Sequence, residues 1–156
     1  MKQKIIWIGK GGERFVQDGV AHYLKRLKPF AQVELVELKA AGHSGRDPAQ
    51  AVLAEEEDVL RRLTPRDTLI LLDERGETLS SRELAALLDG VRQSAAPDAA
   101  WVIGGAYGVT DNLRRRAIRV VSLSKMTFPH QLVRVILLEQ LYRAFTILAG
   151  HGYHHD

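Results

Sequence analysis

Cysteine is absent from the sequence. This absence excludes disulfide bonds, zinc–thiolate sites, iron–sulfur clusters and thiol nucleophiles. No apolar run approaches the roughly 20 residues that a membrane-spanning helix requires. The first residues also show neither the apolar core nor the cleavage site of a secretory signal. We therefore expect a cytoplasmic protein.

The length of 156 residues predicts one domain, spanning 1–156, because 46% of the residues are hydrophobic and 26% are charged, as in an ordinary globular chain. The net charge is only +3, but it is unevenly distributed. Residues 110–156 contain seven of the 22 Lys and Arg residues, three of the 19 Asp and Glu residues and four of the six His residues. This basic C-terminal third favours a polyanionic partner such as nucleic acid.

Hydrophobic periodicity predicts an α/β fold, with a mostly parallel sheet and helices on both of its faces. Strand-like runs lie at 4–9, 33–39, 67–73, 99–103 and 119–123. Helical patterns lie at 13–28, at 47–63, from 80 or 81 onward, at 112–118 and at 129–149. Among the connections, 74–76 is predicted to be a turn, Ser80 or Ser81 to cap a helix with Glu83 placed for a capping box, and Asp111 to cap the next helix.

The predicted topology indicates where a ligand would bind. In parallel sheets, ligands lie at the carboxyl ends of the strands. This rule selects three loops, which follow Asp73, Ile103 and Leu123.

Two glycine-rich segments partly resemble phosphate-binding loops. The segment Gly9-Lys10-Gly11-Gly12 lacks the Ser or Thr after lysine that a P-loop needs, so it is interpreted as a glycine turn. The segment 104–108 has the spacing G-G-x-x-G rather than G-x-G-x-x-G. Its adjacent glycines permit close backbone approach to a ligand such as adenosine, but a tight turn explains them equally well.

The loop at 123–130 is unusually apolar for a strand-to-helix connection, because it contains Leu123, Met126 and Phe128. Such side chains are typical of a wall against a flat ligand. The alternative is that they close the core beneath the last helix.

The last helix is apolar almost all round, which predicts a second buried face, most simply against another copy of the chain. Within it, Glu139 and Arg143 are spaced to form an ion pair, and the Arg134 stem is expected to lie along the helix. The histidine-rich tail contains Tyr153 and favours contact with nucleic acid over a metal site. No metal is therefore expected.

Five blocks of the sequence, taken together, resemble the ribosomal RNA large-subunit methyltransferase H family of the SPOUT, or trefoil-knot, class. They are Leu-Leu-Asp-Glu-Arg-Gly at 71–76, Val-Ile-Gly-Gly-Ala-Tyr-Gly at 102–108, Ser-Leu-Ser-Lys-Met-Thr-Phe-Pro-His-Gln-Leu-Val-Arg-Val at 122–135, Glu-Gln-Leu-Tyr-Arg-Ala-Phe at 139–145 and Tyr-His at 153–154. The resemblance covers essentially the whole chain, and the block around 124–130 is its most specific part.

The resemblance implies a C-terminal knot, a homodimer and the transfer of a methyl group from S-adenosylmethionine to N3 of a pseudouridine in 23S rRNA of assembled ribosomes. It also implies the location of the cofactor pocket, at the same three strand ends that the sheet rule selects. The residues implied to bind the cofactor are Leu72, Gly104, Leu123, Ser124, Lys125, Met126, Thr127 and Phe128.

Catalysis then requires loss of the pseudouridine N3 proton, for which a base or a stabilising cation is needed. The candidates are Arg143, His130 and His154, with Tyr153 as a stacking platform. The cations expected to steer the RNA are Arg114, Arg115, Arg116 and Arg119.

The loop at 40–47, with His43 and Arg46, contacts either RNA or nothing. Two alternative functions stay open at this point. One is a nucleotide-dependent α/β enzyme such as a small reductase, and the other is a non-catalytic ribosome-binding module.

Overall fold

A computed structural model describes residues 1–45 and 47–155. In it, five strands form a single all-parallel sheet in the order β2-β1-β4-β3-β5. The strands are β1 (Lys2–Ile8), β2 (Gln32–Leu38), β3 (Asp67–Thr78), β4 (Asp98–Ile103) and β5 (Arg119–Ser122). The predicted α/β class with a parallel sheet is therefore confirmed.

Five α-helices connect or follow the strands: α1 (Arg14–Leu27), α2 (Pro48–Arg62), α3 (Ser81–Arg92), α4 (Asp111–Arg116) and α5 (His130–Leu148). A short 3-10 helix, Ala41–Ser44, precedes α2. None of the helices in residues 1–45 and 47–155 is long and apolar enough to cross a membrane. Arg46 and the side chain of His43 lie outside what the structure describes, so the hypothesis about that loop stays a prediction.

Helix caps agree with the sequence at α3 but not at α4. The Ser80 side chain accepts a hydrogen bond from the Glu83 backbone N–H, and the Glu83 carboxylate accepts one from the Ser80 N–H, so the capping box is confirmed. The predicted Asp111 cap is wrong. The α4 cap is Thr110, whose hydroxyl accepts from the Leu113 N–H at 3.0 Å, and Asp111 is the first helical residue.

The alternating side chains of the strands separate two layers of core. Helices α1, α3 and α5 cover one face, where Ile5, Trp101 and Leu137 are completely buried. Helices α2 and α4 cover the other face, against Ile6 and Leu71. Helices therefore lie on both faces, as the periodicity predicted.

Strand β3 is longer than predicted, because the expected turn at 74–76 is wrong. The strand continues to Thr78, and its pairing with β5 shifts register between Leu72 and Glu77. Gly76 makes this shift possible: a Cβ at that position would lie 2.6 Å from the Val120 carbonyl oxygen. The two backbones thus pass each other at a distance that only glycine allows.

Helix α5 packs between α1 and α3, and this arrangement accounts for its apolar circumference. Leu137, Leu138 and Leu141 are completely buried within this single chain. The apolar circumference therefore does not by itself require a second copy, and the homodimer stays a prediction.

Polar groups at the amino ends of the strands are closely paired. The Lys4 ammonium donates to Asp67 Oδ2 at 2.5 Å and to the Arg62 carbonyl at 2.8 Å, and both side chains of this ion pair are buried. The Asp98 carboxylate accepts from the Lys2 backbone N–H and from Arg66 Nε. These contacts fasten β1, β3 and β4 together at this edge.

Candidate active site

A cavity of about 650 Å³ opens at the carboxyl ends of β3, β4 and β5. This is the edge that the sheet rule selects, and all three predicted loops contribute to the lining. The lining includes these predicted cofactor residues: Leu72, Gly104, Leu123, Ser124, Met126, Thr127 and Phe128. Lys125 is exposed and is not among the described residues that line the cavity.

The glycine turn at 104–108 forms the β4 wall of this cavity. A Cβ on Gly104 would lie 2.7 Å from Val109 Cγ1 and 3.2 Å from the Gly108 carbonyl oxygen. Gly108 has φ +77° and donates its N–H to the Gly105 carbonyl at 3.0 Å. The segment is thus a tight turn that also presents bare backbone to the cavity, so its two interpretations are compatible.

The apolar loop after β5 is stabilised by its own serines. Ser122 Oγ donates to the Ser124 carbonyl at 2.8 Å, and Ser124 Oγ accepts from the Met126 N–H at 2.9 Å. Leu123 lines the cavity and also packs against the core, whereas Met126 is 72% exposed at the cavity mouth. One part of this loop therefore closes the core, and another part forms a wall of the cavity, so each of the two interpretations holds for part of the loop.

Asp73 lines the cavity but is not among the site residues predicted from the sequence. Its carboxylate accepts from Arg114 Nη2 at 2.8 Å and from Arg114 Nε at 3.2 Å. Arg114 also pairs with Asp111 at 2.8 Å, and its hydrogen bond to Asp73 raises the pKa of the guanidinium. Asp73 directly follows the apolar run of β3. This position at the end of a buried run is the sequence signal that could have identified it as a cavity residue.

The four arginines predicted to contact RNA differ in their surroundings. Arg114 lines the cavity within its two ion pairs, and Arg119 pairs with Glu77 at 3.0 Å on the surface. Arg115 and Arg116 are exposed, and across residues 1–45 and 47–155 neither forms an ion pair. Within these residues, the positive charge of α4 that no carboxylate neutralises is therefore that of Arg115 and Arg116.

The candidate catalytic residues of the C-terminal region lie together around Glu139. Arg143 donates to Glu139 Oε1 through Nε at 3.0 Å and through Nη2 at 2.6 Å, so the predicted ion pair forms. The Arg143 guanidinium also stacks 4.7 Å from the Tyr153 ring and approaches His154 Nδ1 at 3.4 Å. Tyr153 donates its hydroxyl to Glu139 at 3.2 Å.

The electrostatics of this cluster follow from its partial burial. The hydrogen bond from Arg143 to Glu139 raises the pKa of the Arg143 guanidinium. Burial, followed by the charge of Glu139, raises the pKa of the Tyr153 hydroxyl. Both groups therefore keep their protons at neutral pH.

The cluster and the cavity lie at opposite ends of α5. His130, the fourth catalytic candidate, lines the cavity at the first residue of the helix, while Arg143 is near the last turn. About thirteen residues at 1.5 Å rise separate them by roughly 20 Å along the helix axis. Within one chain, the structure therefore does not bring His130 together with Arg143, Tyr153 and His154.

The prediction that the Arg134 stem lies along the helix is wrong. The Arg134 side chain is 1% exposed rather than extended along the helix surface. The guanidinium donates to the carbonyls of Ile8, Gly9 and Gly11 and lies 4.7 Å from the Trp7 ring. Burial lowers its pKa. Arg134 thus fixes the loop between β1 and α1 against the start of α5.

No group of three or more His, Cys, Asp or Glu side chains with metal-ligand geometry occurs in residues 1–45 and 47–155.

Comparison with known proteins identifies the family. Residues 1–154 match the family model described as predicted SPOUT methyltransferase. The chain is 47% identical over 156 residues to ribosomal RNA large subunit methyltransferase H of Geobacter sulfurreducens, which covers 99% of this chain and 100% of that protein. It is 46% identical to the protein of the same name from Pelobacter propionicus, with 99% and 100% of the two chains covered. The chain belongs to the SPOUT methyltransferase family.

A solved structure supports the fold assignment of this SPOUT methyltransferase. A probable methylase family protein from Haemophilus influenzae Rd KW20 superposes with a TM-score of 0.52, covering 99% of this chain and 70% of that one. At 13% sequence identity, this likeness concerns the fold alone.

Proposed function

We propose that this SPOUT methyltransferase transfers the methyl group of S-adenosylmethionine to N3 of a pseudouridine in 23S rRNA. It does so as a cytoplasmic homodimer acting on the assembled ribosome. The observation that carries the proposal is the cavity where three strand-end loops meet, lined by seven of the eight residues that the family resemblance implied. The name shared by the full-length relatives supports rRNA as the substrate class. Neither a reductase nor a non-catalytic module is favoured by any comparable feature.

The cavity suits an adenosyl cofactor in size and chemistry. Its volume of about 650 Å³ lies within the roughly 300–1,000 Å³ of typical small-molecule sites. Leu72, Leu123 and Phe128 supply apolar walls, and Gly104 lets the turn that forms the β4 wall pack tightly against Val109. S-adenosylmethionine, when bound, supplies a methyl group on a positively charged sulfonium. The apolar walls would exclude water from that group and restrict its position.

The acceptor nitrogen must lose its proton, and the C-terminal cluster is suited to help. A guanidinium keeps its proton at neutral pH, so Arg143 acts as a fixed positive charge that stabilises the deprotonated imide. The Tyr153 ring offers a surface on which the base stacks. The single proton goes to one imidazole, for which His154, beside Arg143, and His130, in the cavity, are the two candidates.

The separation along α5 supports a homodimer in which two chains build each site. In one chain, roughly 20 Å of helix separates the cavity from Arg143. A cluster at that distance cannot act on a methyl group held in the cavity of the same chain. The tail cluster of one protomer therefore completes the cavity of its partner.

The first test is methyl transfer from labelled S-adenosylmethionine to ribosomes from a bacterial strain that lacks this modification. Free 23S rRNA and separated ribosomal subunits serve as controls, and mass spectrometry identifies the labelled nucleoside. The expected result is N3-methylated pseudouridine on assembled ribosomes only. Transfer to another nucleoside, or none despite cofactor binding, would contradict the substrate assignment.

A mixed-dimer experiment tests the shared site. Gly104→Val distorts the turn that forms the cavity wall, and Arg143→Gln removes the cationic charge, so each variant alone should be inactive. After random exchange of subunits, half of the dimers are mixed, and each mixed dimer has one intact site out of two. We expect about a quarter of the wild-type rate. Recovery of no activity, with exchange verified by native mass spectrometry, would indicate sites built within single chains.

A further inference from the structure

A second cavity, of about 540 Å³, lies beside the cofactor cavity at the carboxyl ends of β1, β2 and β4. The two cavities share Tyr107 and His130 in their linings, so they are neighbours across the glycine turn at 104–108. The proposed transfer of a methyl group uses no residue that belongs only to this second cavity. Its own lining includes Lys10, Lys39 and Glu55.

The lining has an excess of positive charge. Lys10 and Lys39 are exposed at its rim, and Arg134 contributes a buried guanidinium. In residues 1–45 and 47–155, none of these three cations forms an ion pair with a carboxylate. A cavity of this charge attracts an anionic group such as a phosphate.

Glu55 supplies a buried acceptor with no partner for one of its oxygens. The residue is 5% exposed, and its Oε1 accepts the Ala41 backbone N–H at 3.0 Å. Its Oε2 is buried without a hydrogen bond in the part of the chain that the structure describes. This oxygen faces the glycine turn, because a Cβ on Gly105 would lie 3.2 Å from it. A buried carboxylate oxygen left without a donor is costly unless a ligand supplies one.

Tyr107 adds an aromatic surface to the same cavity. Its ring is 55% exposed and packs against Gly42, where a Cβ would lie only 2.8 Å from the ring. The glycine therefore lets the loop before α2 support the ring while much of its surface stays accessible. Exposed aromatic rings beside cationic groups are typical platforms for nucleobases.

We propose that this second cavity binds a nucleotide next to the methylated one in the RNA substrate. The base stacks on Tyr107 and donates an N–H to Glu55 Oε2, and the phosphate lies between Lys10 and Lys39. This inference rests on the proposed function for the source of the nucleotide, because the shared wall places the ligand beside the acceptor of the methyl group. The ligand chemistry itself, a base with an N–H donor and a phosphate, rests only on the cavity.

The direct test measures nucleotide binding without catalysis. The wild-type protein, saturated with S-adenosylhomocysteine to fill the cofactor cavity, is titrated with AMP, GMP, CMP and UMP and followed by amide chemical shifts. We expect saturable shifts at Gly42, Glu55 and Tyr107. Glu55→Gln keeps an acceptor for the Ala41 N–H and should weaken the preferred nucleotide about tenfold, as should Lys39→Gln. Lys28→Gln, at the far end of α1, is the matched control.

Two outcomes of this titration would overturn the nucleotide site. One is affinity that is unchanged in both Glu55→Gln and Lys39→Gln. The other is competition with S-adenosylhomocysteine, which would indicate that the second cavity is an extension of the cofactor site. Circular dichroism of each variant verifies that it is folded.

A kinetic test distinguishes an RNA nucleotide from a free one. If the ligand is part of the RNA, Glu55→Gln should raise the KM for ribosomes about tenfold and leave the KM for S-adenosylmethionine unchanged. An unchanged ribosome KM, together with weaker mononucleotide binding, would overturn the RNA assignment in favour of a free nucleotide. If the wild-type protein methylates no ribosomes but binds nucleotides through Glu55, the proposed function fails and the nucleotide site stands.

Discussion

The two edges of the sheet differ in how their polar groups are satisfied. At the amino edge, Lys4 is held between Asp67 and the Arg62 carbonyl, and Asp98 is held by Lys2 and Arg66. At the carboxyl edge, Asp73 is paired with Arg114, but two cavities open there, and within residues 1–45 and 47–155 Glu55 Oε2 has no hydrogen-bond donor and the buried Arg134 has no carboxylate partner.

Within the same sheet, the amino edge therefore serves stability, and the carboxyl edge serves ligand binding. Closed ion pairs hold the strands in register but leave nothing for a ligand to contact. The carboxyl edge, which is the open edge of the sheet, also has one such pair at Asp73 and Arg114, but it leaves Glu55 Oε2, Lys10 and Lys39 available to a ligand. Changes at the amino edge should therefore alter unfolding, and changes at the carboxyl edge should alter binding.

The largest expected effect comes from breaking the amino edge. Asp67→Asn leaves the buried Lys4 ammonium without its counter-ion and should lower the free energy of unfolding by about 3–5 kcal/mol. Urea denaturation measures this change. Asp18→Asn, which removes a highly exposed ion pair with Arg14, is the control and should have little effect. Cofactor affinity of the folded Asp67→Asn protein should match wild type, and a parallel loss of affinity would contradict the separation of the two edges.

The same ion pair predicts a dependence of stability on pH. Burial raises the pKa of Asp67, but hydrogen bonds from Lys4 and Thr64 lower it by more, so its net pKa is below the ordinary value of 3.8. A carboxyl whose pKa falls on folding contributes its full stabilisation above its unfolded pKa and loses it as pH drops through the folded pKa. The difference in unfolding free energy between wild type and Asp67→Asn should therefore be constant near neutral pH and shrink below about pH 4. A difference that grows on acidification would refute this linkage.

A second change tests the open edge. Gly104→Ala introduces a Cβ 2.7 Å from Val109 and 3.2 Å from the Gly108 carbonyl, so the turn that forms the cavity wall must shift. We expect S-adenosylmethionine affinity to fall by about 10–100-fold, measured by calorimetry. Gly90→Ala, in α3 with open space around it, should leave affinity unchanged and slightly stabilise the helix. Equal affinities of the two variants would remove the glycine turn from the cofactor site.

The smallest expected effect concerns the surface of α4. Arg115→Gln and Arg116→Gln each remove a cation that pairs with no carboxylate in the part of the chain that the structure describes, so each should weaken ribosome binding severalfold at low salt and reduce the salt slope by about one. Arg119→Gln should do less, because Glu77 already pairs with Arg119. Binding measured between 50 and 200 mM salt tests this order, and an equal effect of all three would contradict it.

Much of the architecture could be predicted from the sequence, because buried parallel strands are continuous apolar runs and ligand sites follow their carboxyl ends. The apolar runs in β3 and β4 therefore predict where the cavity lies. The extension of β3 could not be predicted in this way. Glu74, Arg75 and Gly76 have the composition of a turn, and a shift in register depends on β5, more than forty residues later in the chain.

Arg134 and Glu55 show a second limit of local patterns. An arginine flanked by apolar residues in a helix is typical of a side chain that extends to solvent, but the partners of Arg134 are carbonyls at 8–11, more than 120 residues earlier. Glu55 belongs to the acidic run at 55–58, a composition that is typical of a solvated helix face. Its side chain is nevertheless buried against the glycine turn. In both cases the environment is created by distant segments, so no spacing within the helix reveals it.

The position of α5 between α1 and α3 also affects how the chain is made. Helix α1 ends at Leu27, but the helix that covers its apolar side begins only at His130. At roughly 5–20 residues per second of synthesis, the interval between them lasts about 5–20 seconds. During that time, the side chains of α1 that later contact α5 are open to water in the nascent chain. The growing polypeptide thus exposes an apolar surface, of the kind that chaperones bind, until its last helix emerges.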